Sequence, residues 1–220
     1  MHAPPRLRGG LLVRLAFLFL GLAVCACAIT SIYESKLGLA PWDVLHQGIA
    51  RHTPLSFGEA NIAVGVAVVA LAWLLGAQIG LGTIANATLI GLFIQLLTSI
   101  GWVEHIARHG MAERVAALLL GIGLMAAGTA LYMAPSMGAG PRDSLMLVLA
   151  KRSGVRIGIV RAALELSVLA IGFVLGGKVG LGTLAFALLI GPGVEGCFWL
   201  LERTPVALPA PRPVAGTAVG

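Results

Sequence analysis

The sequence contains few charged side chains. Only 11% of its 220 residues are Asp, Glu, Lys or Arg, whereas 58% are apolar. Soluble domains carry about 25% charged residues, which they need to cover their surface. The composition therefore excludes a water-soluble globular protein and indicates that lipid is the main solvent.

Cysteine is also scarce, and Cys25, Cys27 and Cys197 all lie within apolar stretches. There a thiol behaves as a small apolar side chain and not as a disulfide partner. The histidines show no repeated ligand spacing, and signatures of nucleotide binding or nucleophilic catalysis are missing. We therefore expect no metal site, no cofactor and no enzymatic activity.

Six apolar stretches are each long enough to cross a bilayer core about 30 Å thick as a helix. Because these stretches are continuous rather than alternating, they exclude a β-barrel. The sequence predicts an all-α polytopic membrane protein with spans near residues 11–33, 57–77, 83–103, 114–134, 157–177 and 183–201.

An internal duplication is the strongest pattern in the chain. Shifting the sequence by 100 residues aligns residues 11–104 with 111–204 without a gap and gives 26 identities in 94 positions. Chance predicts roughly a tenth of the positions. The matches include Gly38, Pro41 and Asp43 with Gly138, Pro141 and Asp143, Gly80-Leu81-Gly82-Thr83 with Gly180-Leu181-Gly182-Thr183, and Leu89-Ile90-Gly91 with Leu189-Ile190-Gly191.

The duplication sets the predicted organisation of a single membrane domain. We expect a basic cytoplasmic segment at 1–10, a first repeat at 11–104, a linker at 105–110, a second repeat at 111–204 and a flexible Pro/Ala-rich tail at 205–220. Each repeat also has a short segment, 41–51 or 141–152, of about 17 Å as helix. Since this cannot span the bilayer, we interpret both as re-entrant or interfacial half-helices.

Three crossings in each half require the second half to enter the membrane from the opposite side. Basic residues provide an independent test, because they accumulate on the cytoplasmic side. With a cytoplasmic N-terminus, ten basic residues lie inside and five outside. The count favours a multi-pass protein of the bacterial inner membrane with both termini in the cytoplasm. It also accounts for the net charge of +6 without nucleic-acid binding.

The paired Gly-x-(Ala/Gly)-Pro-x-Asp and Gly-Leu-Gly-Thr motifs, with Leu-Ile-Gly-Pro at residues 189–192, resemble the YczE/YyaS/YitT family of bacterial integral membrane proteins. The resemblance spans both halves and implies a polytopic inner-membrane protein. It supplies no established substrate or reaction. A Pro/Ala-rich tail follows Arg203. We therefore expect the chain to lack the soluble C-terminal domain that some members resembling YitT carry.

Two repeated motifs are candidate sites. Pro41 and Pro141 suit a first helical turn, where Asp43 and Asp143 either cap the helix or bind a cation or proton near the midplane. The Gly-Leu-Gly-Thr turns form either an anion-binding nest or a tight interhelical turn, with the threonine able to cap the following helix. The turn residues concerned are Gly80, Gly82, Thr83, Gly180, Gly182 and Thr183.

Polar side chains inside apolar spans are costly and therefore mark candidate sites. Glu195 aligns with Gln95 across the repeat, so both halves carry a coordinating side chain at one position. Glu165 either binds a ligand or pairs with Arg161 one helical turn earlier. Asn86 adds a polar group to the third span.

Two functions fit these features. The first is a secondary transporter or channel for a small solute or ion, with the pathway between inverted halves. The second is a membrane-embedded regulatory or interaction protein without transport. The lipid bilayer and an unidentified small solute or ion are the expected partners, and a homodimer stays open as an alternative.

Overall fold

The computed structural model describes residues 6–101 and 110–208. The predicted end of the third span at residues 102–103, most of the linker and the end of the tail lie outside this part of the chain. The elements are β1 (Arg6–Leu7), α1 (Leu11–Ser35), α2 (Pro41–His52), α3 (Phe57–Leu74), α4 (Leu81–Ser99), α5 (Met111–Met133), α6 (Pro141–Ser153), α7 (Ile157–Val174), α8 (Leu181–Glu202) and β2 (Ala207–Leu208).

The fold is that of an all-α, multi-pass membrane protein. Within the described residues, α1, α3, α4, α5 and α8 are long and apolar enough to cross a membrane. Large apolar side chains point outward from these helices, with Leu12 82% and Leu181 80% exposed. A surface of this kind is stable in lipid and not in water. Helices α2 and α6, of 12 and 13 residues, are too short to span the bilayer.

The antiparallel pair α1 and α5 forms the centre of the bundle. A Cβ atom added at Gly21 would lie 2.9 Å from the carbonyl oxygen of Gly128, and one added at Gly121 would lie 3.0 Å from that of Ala28. The helix backbones therefore touch at both crossings, as small residues allow in membrane bundles. Gly21 and Gly121 are repeat-equivalent, so each half makes the same contact with the other.

Two arginines tie the ends of this central pair together. Arg14 Nε, at the start of α1, donates to the carbonyl oxygen of Pro135 at 2.9 Å, and Arg114 Nε, at the start of α5, donates to that of Ser35 at 2.8 Å. Carbonyls at a helix C-terminus lack helical partners and carry partial negative charge, so a guanidinium stabilises them. Each half thus completes the central helix of the other.

The second helix pair differs between the halves. In the first half α3 packs closely along α4, where a Cβ atom at Gly58 would lie 2.6 Å from the carbonyl oxygen of Gly91. At the repeat-equivalent Gly158 and Gly191, no described atom lies within 4 Å of such a Cβ atom. Helices α7 and α8 are therefore separated where α3 and α4 touch.

The two ends of the described chain meet. Strand β1 pairs antiparallel with β2, and Arg8 N donates to the carbonyl oxygen of Val206 at 2.7 Å. The start of the tail, expected to be flexible, is hydrogen-bonded to the N-terminal segment in this part. Both chain ends consequently lie at the same end of the bundle.

Alanine substitution at one pair of repeat-equivalent glycines distinguishes the closed helix pair from the open one. At Gly91 the new methyl group would lie 2.5 Å from the carbonyl oxygen of Gly58, so Gly91→Ala should cost about 1–3 kcal/mol. Gly191→Ala meets open space and should leave stability unchanged or raise it, since alanine favours helix. The unfolding temperature in detergent measures both effects, since a loss of about 1 kcal/mol lowers it by about 2–4 °C. Equal losses would contradict the asymmetry.

Candidate functional site

A cavity of about 420 Å³ lies between the two halves. Every one of the eight helices contributes to its wall. The wall is mainly apolar, but it carries charged side chains from three helices of the second half: Arg142, Asp143, Arg161, Glu165 and Glu195. Charged groups are rare inside membrane proteins and mark functional positions when they face a shared cavity.

The short helices α2 and α6 bring their N-terminal ends to this cavity. Both begin with a proline, whose missing N–H is not needed in the first turn, and both carry an aspartate two residues later. Asp143 lines the cavity, whereas Asp43 is 1% exposed and lies behind it. The two aspartates therefore approach the cavity from opposite halves.

Asp43 belongs to a buried polar network. Its Oδ1 atom lies 3.2 Å from Nδ1 of His46 and 3.8 Å from a guanidinium nitrogen of Arg142. The same His46 nitrogen lies 3.2 Å from Nδ2 of Asn61 on α3. The Arg142 guanidinium is also 5.1 Å from the centre of the Trp42 ring. Trp42 and Arg142 occupy equivalent positions in the two repeats. The two halves therefore meet through an ion pair and a cation–π contact.

The protonation of two buried groups follows from their surroundings. Burial raises the pKa of Asp143, although Arg161 and Arg142 act in the opposite direction and Tyr132 Oη donates to its carboxylate at 3.4 Å. Burial lowers the pKa of His46, even though Asp43 favours its protonated form. Desolvation disfavours the charged form in both cases. Burial therefore favours the uncharged forms of both groups.

The remaining candidates are divided between the cavity and the outer surface. Glu165 accepts from Arg161 Nε at 3.2 Å, and both side chains line the cavity. Asn86 and Glu195 line it as well, and no described residue donates a hydrogen bond to Glu195. Gln95, however, lies on the exposed face of α4 and is not part of the wall. Glu195 is exposed as well but borders the cavity, so the expected symmetry between Gln95 and Glu195 does not extend to their surroundings.

The Gly-Leu-Gly-Thr turns contact the opposite half. Gly82 N donates to the carbonyl oxygen of Met137, and Gly182 N to that of Leu37, each at 2.9 Å. These N–H groups are therefore occupied by protein and are not free to bind an anion. The turns contact Gly38 and Gly138, whose φ angles are +126° and +131°. Glycine is required at these two positions because other residues rarely adopt such angles.

The threonines do not cap these helices as expected. Helix α4 begins at Leu81, so Thr83 lies in its first turn, and Gly80 is the residue that precedes the helix. The Thr83 hydroxyl accepts from Gly80 N at 3.3 Å and donates to the carbonyl oxygen of Ala139 at 2.6 Å. Thr183 accepts from Gly180 N at 3.2 Å in the same way. The hydroxyl thus tightens the turn, and that of Thr83 also holds the loop before α6.

Sequence reasoning missed several members of the network. His46 was available as a signal, because it follows Asp43 by three residues on a short helix and therefore shares its face. Arg142 directly follows Pro141 where the first repeat has Trp42, a replacement that places charge at the repeat interface. Asn61 was recognisable as a polar residue near the start of the second span, but its position suggested contact with solvent, whereas it is 7% exposed and contacts His46. Tyr132 gave no signal, because the contact of α5 with the short helices depends on the tertiary fold.

Comparison with known proteins agrees with this architecture. Residues 12–198 match the model described as "Family of unknown function (DUF6198)". This chain belongs to that family. Similarity to YczE and YyaS of Bacillus subtilis confirms the resemblance to the YczE/YyaS proteins.

Three relatives match this chain over most of its length. An "Uncharacterized protein" of Haemophilus influenzae is 38% identical over 191 residues, covering 87% of this chain and 86% of the relative. The "Uncharacterized membrane protein YczE" of Bacillus subtilis is 33% identical over 183 residues, covering 82% and 83%. The "Uncharacterized protein YyaS" of Bacillus subtilis is 24% identical over 191 residues, covering 84% and 92%. No solved structure matches the chain.

Removal of charge at Asp43 and at Glu165 should affect stability differently. Asp43→Asn weakens the buried contacts with His46 and Arg142 and should cost about 1–3 kcal/mol. Glu165→Gln breaks a one-turn pair whose side chains are 36% and 44% exposed, so it should cost less than about 0.5 kcal/mol. Unfolding temperature in detergent compares the two variants. A smaller loss for Asp43→Asn than for Glu165→Gln would contradict the proposed importance of the buried network.

Proposed function

We propose that this protein is a secondary transporter or channel for a small solute or ion, with its pathway between two inverted halves. One observation carries the proposal: a cavity bordered by helices of both halves is lined by ionisable side chains, which are rare within membrane proteins. Binding sites of secondary transporters lie at the interface between such repeats.

Six spans in two inverted repeats form the architecture of this proposal. Helix α7 serves as the sixth span, because its 18 residues equal the length of α3, its repeat equivalent. The antiparallel packing of α1 and α5 supports inversion, since these helices open the two repeats. With both termini in the cytoplasm of a bacterial cell, ten of the fifteen basic residues lie on the cytoplasmic side.

The short helices are re-entrant in this arrangement. Half-helices that begin near the midplane point the positive ends of their dipoles at a bound solute. Here α2 and α6 come from opposite halves, and the first turns of both contribute to the cavity or to its immediate support. In this proposal the cavity binds the transported solute and has no catalytic role.

Cysteine labelling tests the inverted topology. Thr53 and Ser153 are repeat-equivalent and exposed at the ends of α2 and α6. In intact cells a membrane-impermeant maleimide should label Thr53→Cys and should reach Ser153→Cys only after permeabilisation. The parent protein controls for labelling of the three native cysteines. Labelling of both positions from the same side would contradict the inversion.

Flux into proteoliposomes tests transport itself. A panel of ions, sulfur compounds and amino acids should include at least one solute whose uptake requires the protein. Glu195→Gln should reduce that uptake by roughly tenfold or more, because it removes a charged interaction within the cavity. Gln95→Ala, at the repeat-equivalent position outside the cavity, is the matched control and should retain uptake. Absence of flux for every compound with folded protein would favour the regulatory alternative.

A further inference from the structure

The cavity and its support contain more carboxylates than guanidinium groups. Asp143, Glu165 and Glu195 line it and Asp43 lies behind it, whereas Arg142 and Arg161 provide the positive charge. Four carboxylates against two guanidinium groups leave an excess of two negative charges, or of one when Asp143 is protonated. Uncompensated charge is costly between membrane helices. The described residues therefore favour a cation over an anion as the ligand of the cavity.

The excess negative charge is located at Glu195. Asp43 and Glu165 each have an arginine partner, at 3.8 and 3.2 Å respectively. Asp143 accepts from the Tyr132 hydroxyl. In contrast, no described residue forms an ion pair or a hydrogen bond with Glu195. Its carboxylate is thus available to a ligand in the cavity.

His46 provides a second and independent indication of the ligand's chemistry. The residue is 2% exposed and lines the cavity. Its Nδ1 atom lies 3.2 Å from both the Asp43 carboxylate and the Asn61 amide nitrogen. Because the carboxylate is the stronger hydrogen-bond partner, we assign the proton of the neutral imidazole to Nδ1, where it donates to Asp43. Nε2 is then a hydrogen-bond acceptor, and no described residue donates to it. An acceptor of this kind suits a ligand with N–H groups better than an alkali or alkaline-earth ion, which prefers oxygen ligands.

The size and lining of the cavity exclude a bare ion as the best fit. Its volume of about 420 Å³ falls within the range of roughly 300–1,000 Å³ that is typical of organic ligand sites. Apolar and aromatic side chains form much of the wall, among them Ile29, Met125, Phe186 and Phe198. A ligand that fills this space has an apolar body in addition to its charge.

The separation of α7 and α8 provides a lateral route into the cavity. In the first half Gly65 allows α3 to approach α4, and a Cβ atom there would lie 3.0 Å from the carbonyl oxygen of Ala87. The repeat equivalent of Gly65 is Glu165, which lacks the small size that lets α3 approach α4, and at Gly158 and Gly191 the helices α7 and α8 do not touch. The resulting gap faces the lipid-exposed surface, so an amphipathic molecule can enter from the bilayer.

We propose that the cavity binds an organic ammonium compound with an apolar body, which enters between α7 and α8. The inference builds on the proposed transport function and names its substrate class. The ammonium N–H groups donate to the Glu195 carboxylate and to Nε2 of His46, and the apolar body contacts the aromatic and aliphatic wall. The ligand is either a free amine or the headgroup of an aminophospholipid, since both offer the same chemistry.

Binding of benzylammonium to the full chain in an uncharged detergent tests this proposal, with benzoate and benzyl alcohol as anionic and neutral controls of similar shape. Trp42 lines the cavity, so its fluorescence should report occupancy, and calorimetry gives the affinity. Only benzylammonium should bind saturably. Glu195→Gln should weaken its binding by roughly tenfold or more, and Gln95→Ala should leave it unchanged.

Binding of benzoate in preference to benzylammonium would overturn the proposal, as would unchanged affinity in a folded Glu195→Gln variant. The selectivity of the unmodified protein decides the question even if the variant fails to fold. Saturable binding of benzylammonium without flux would support the ligand class and reject transport. Flux of an anionic solute without amine binding would support transport and reject the ligand class. If phosphatidylethanolamine in nanodiscs competes with benzylammonium, the natural ligand is a lipid amine. If it does not compete, the natural ligand is a free amine.

Discussion

The close antiparallel contact between α1 and α5 is the constraint on which the rest of the structure depends. Glycines at both crossings bring the backbones together, and each N-terminal arginine binds carbonyls at the end of the other helix. The Gly-Leu-Gly-Thr turns extend the same exchange, because their N–H groups donate to the loop before the short helix of the opposite half. Without water, backbone groups need protein partners, and here each half provides them for the other.

This exchange explains the position of the cavity. The loops that the turns hold lead directly into α2 and α6, so the first turns of both short helices are fixed near the interface of the halves. Sequence divergence then makes the site asymmetric: Trp42 faces Arg142, and Glu165 replaces Gly65. In the first half α3 and α4 are in close contact and Asp43 and His46 form a buried polar pair, while the second half supplies the charged side chains that line the cavity and the separated helix pair. A duplicated fold thus carries one asymmetric site between its halves.

Much of the fold was predictable from the sequence, because continuous apolar runs, helix-starting prolines and the repeat all act locally or at a fixed offset. All eight predicted helices form, with boundaries close to those expected. The candidate site was less accessible. Asp143, Glu165, Glu195 and Asn86 meet at one cavity, but the exposure of Gln95 and the separation of α7 from α8 depend on tertiary packing. The six-span inverted arrangement itself stays a proposal.

The most direct test of this account is to express residues 1–104 and 105–220 as separate chains. If each half satisfies the polar groups of the other, neither chain alone should be recovered as a folded, monodisperse species, and the two should copurify when expressed together. Size-exclusion chromatography after affinity purification through a tag on one half measures this. Recovery of either half alone as a stable, folded species would contradict the mutual dependence of the halves.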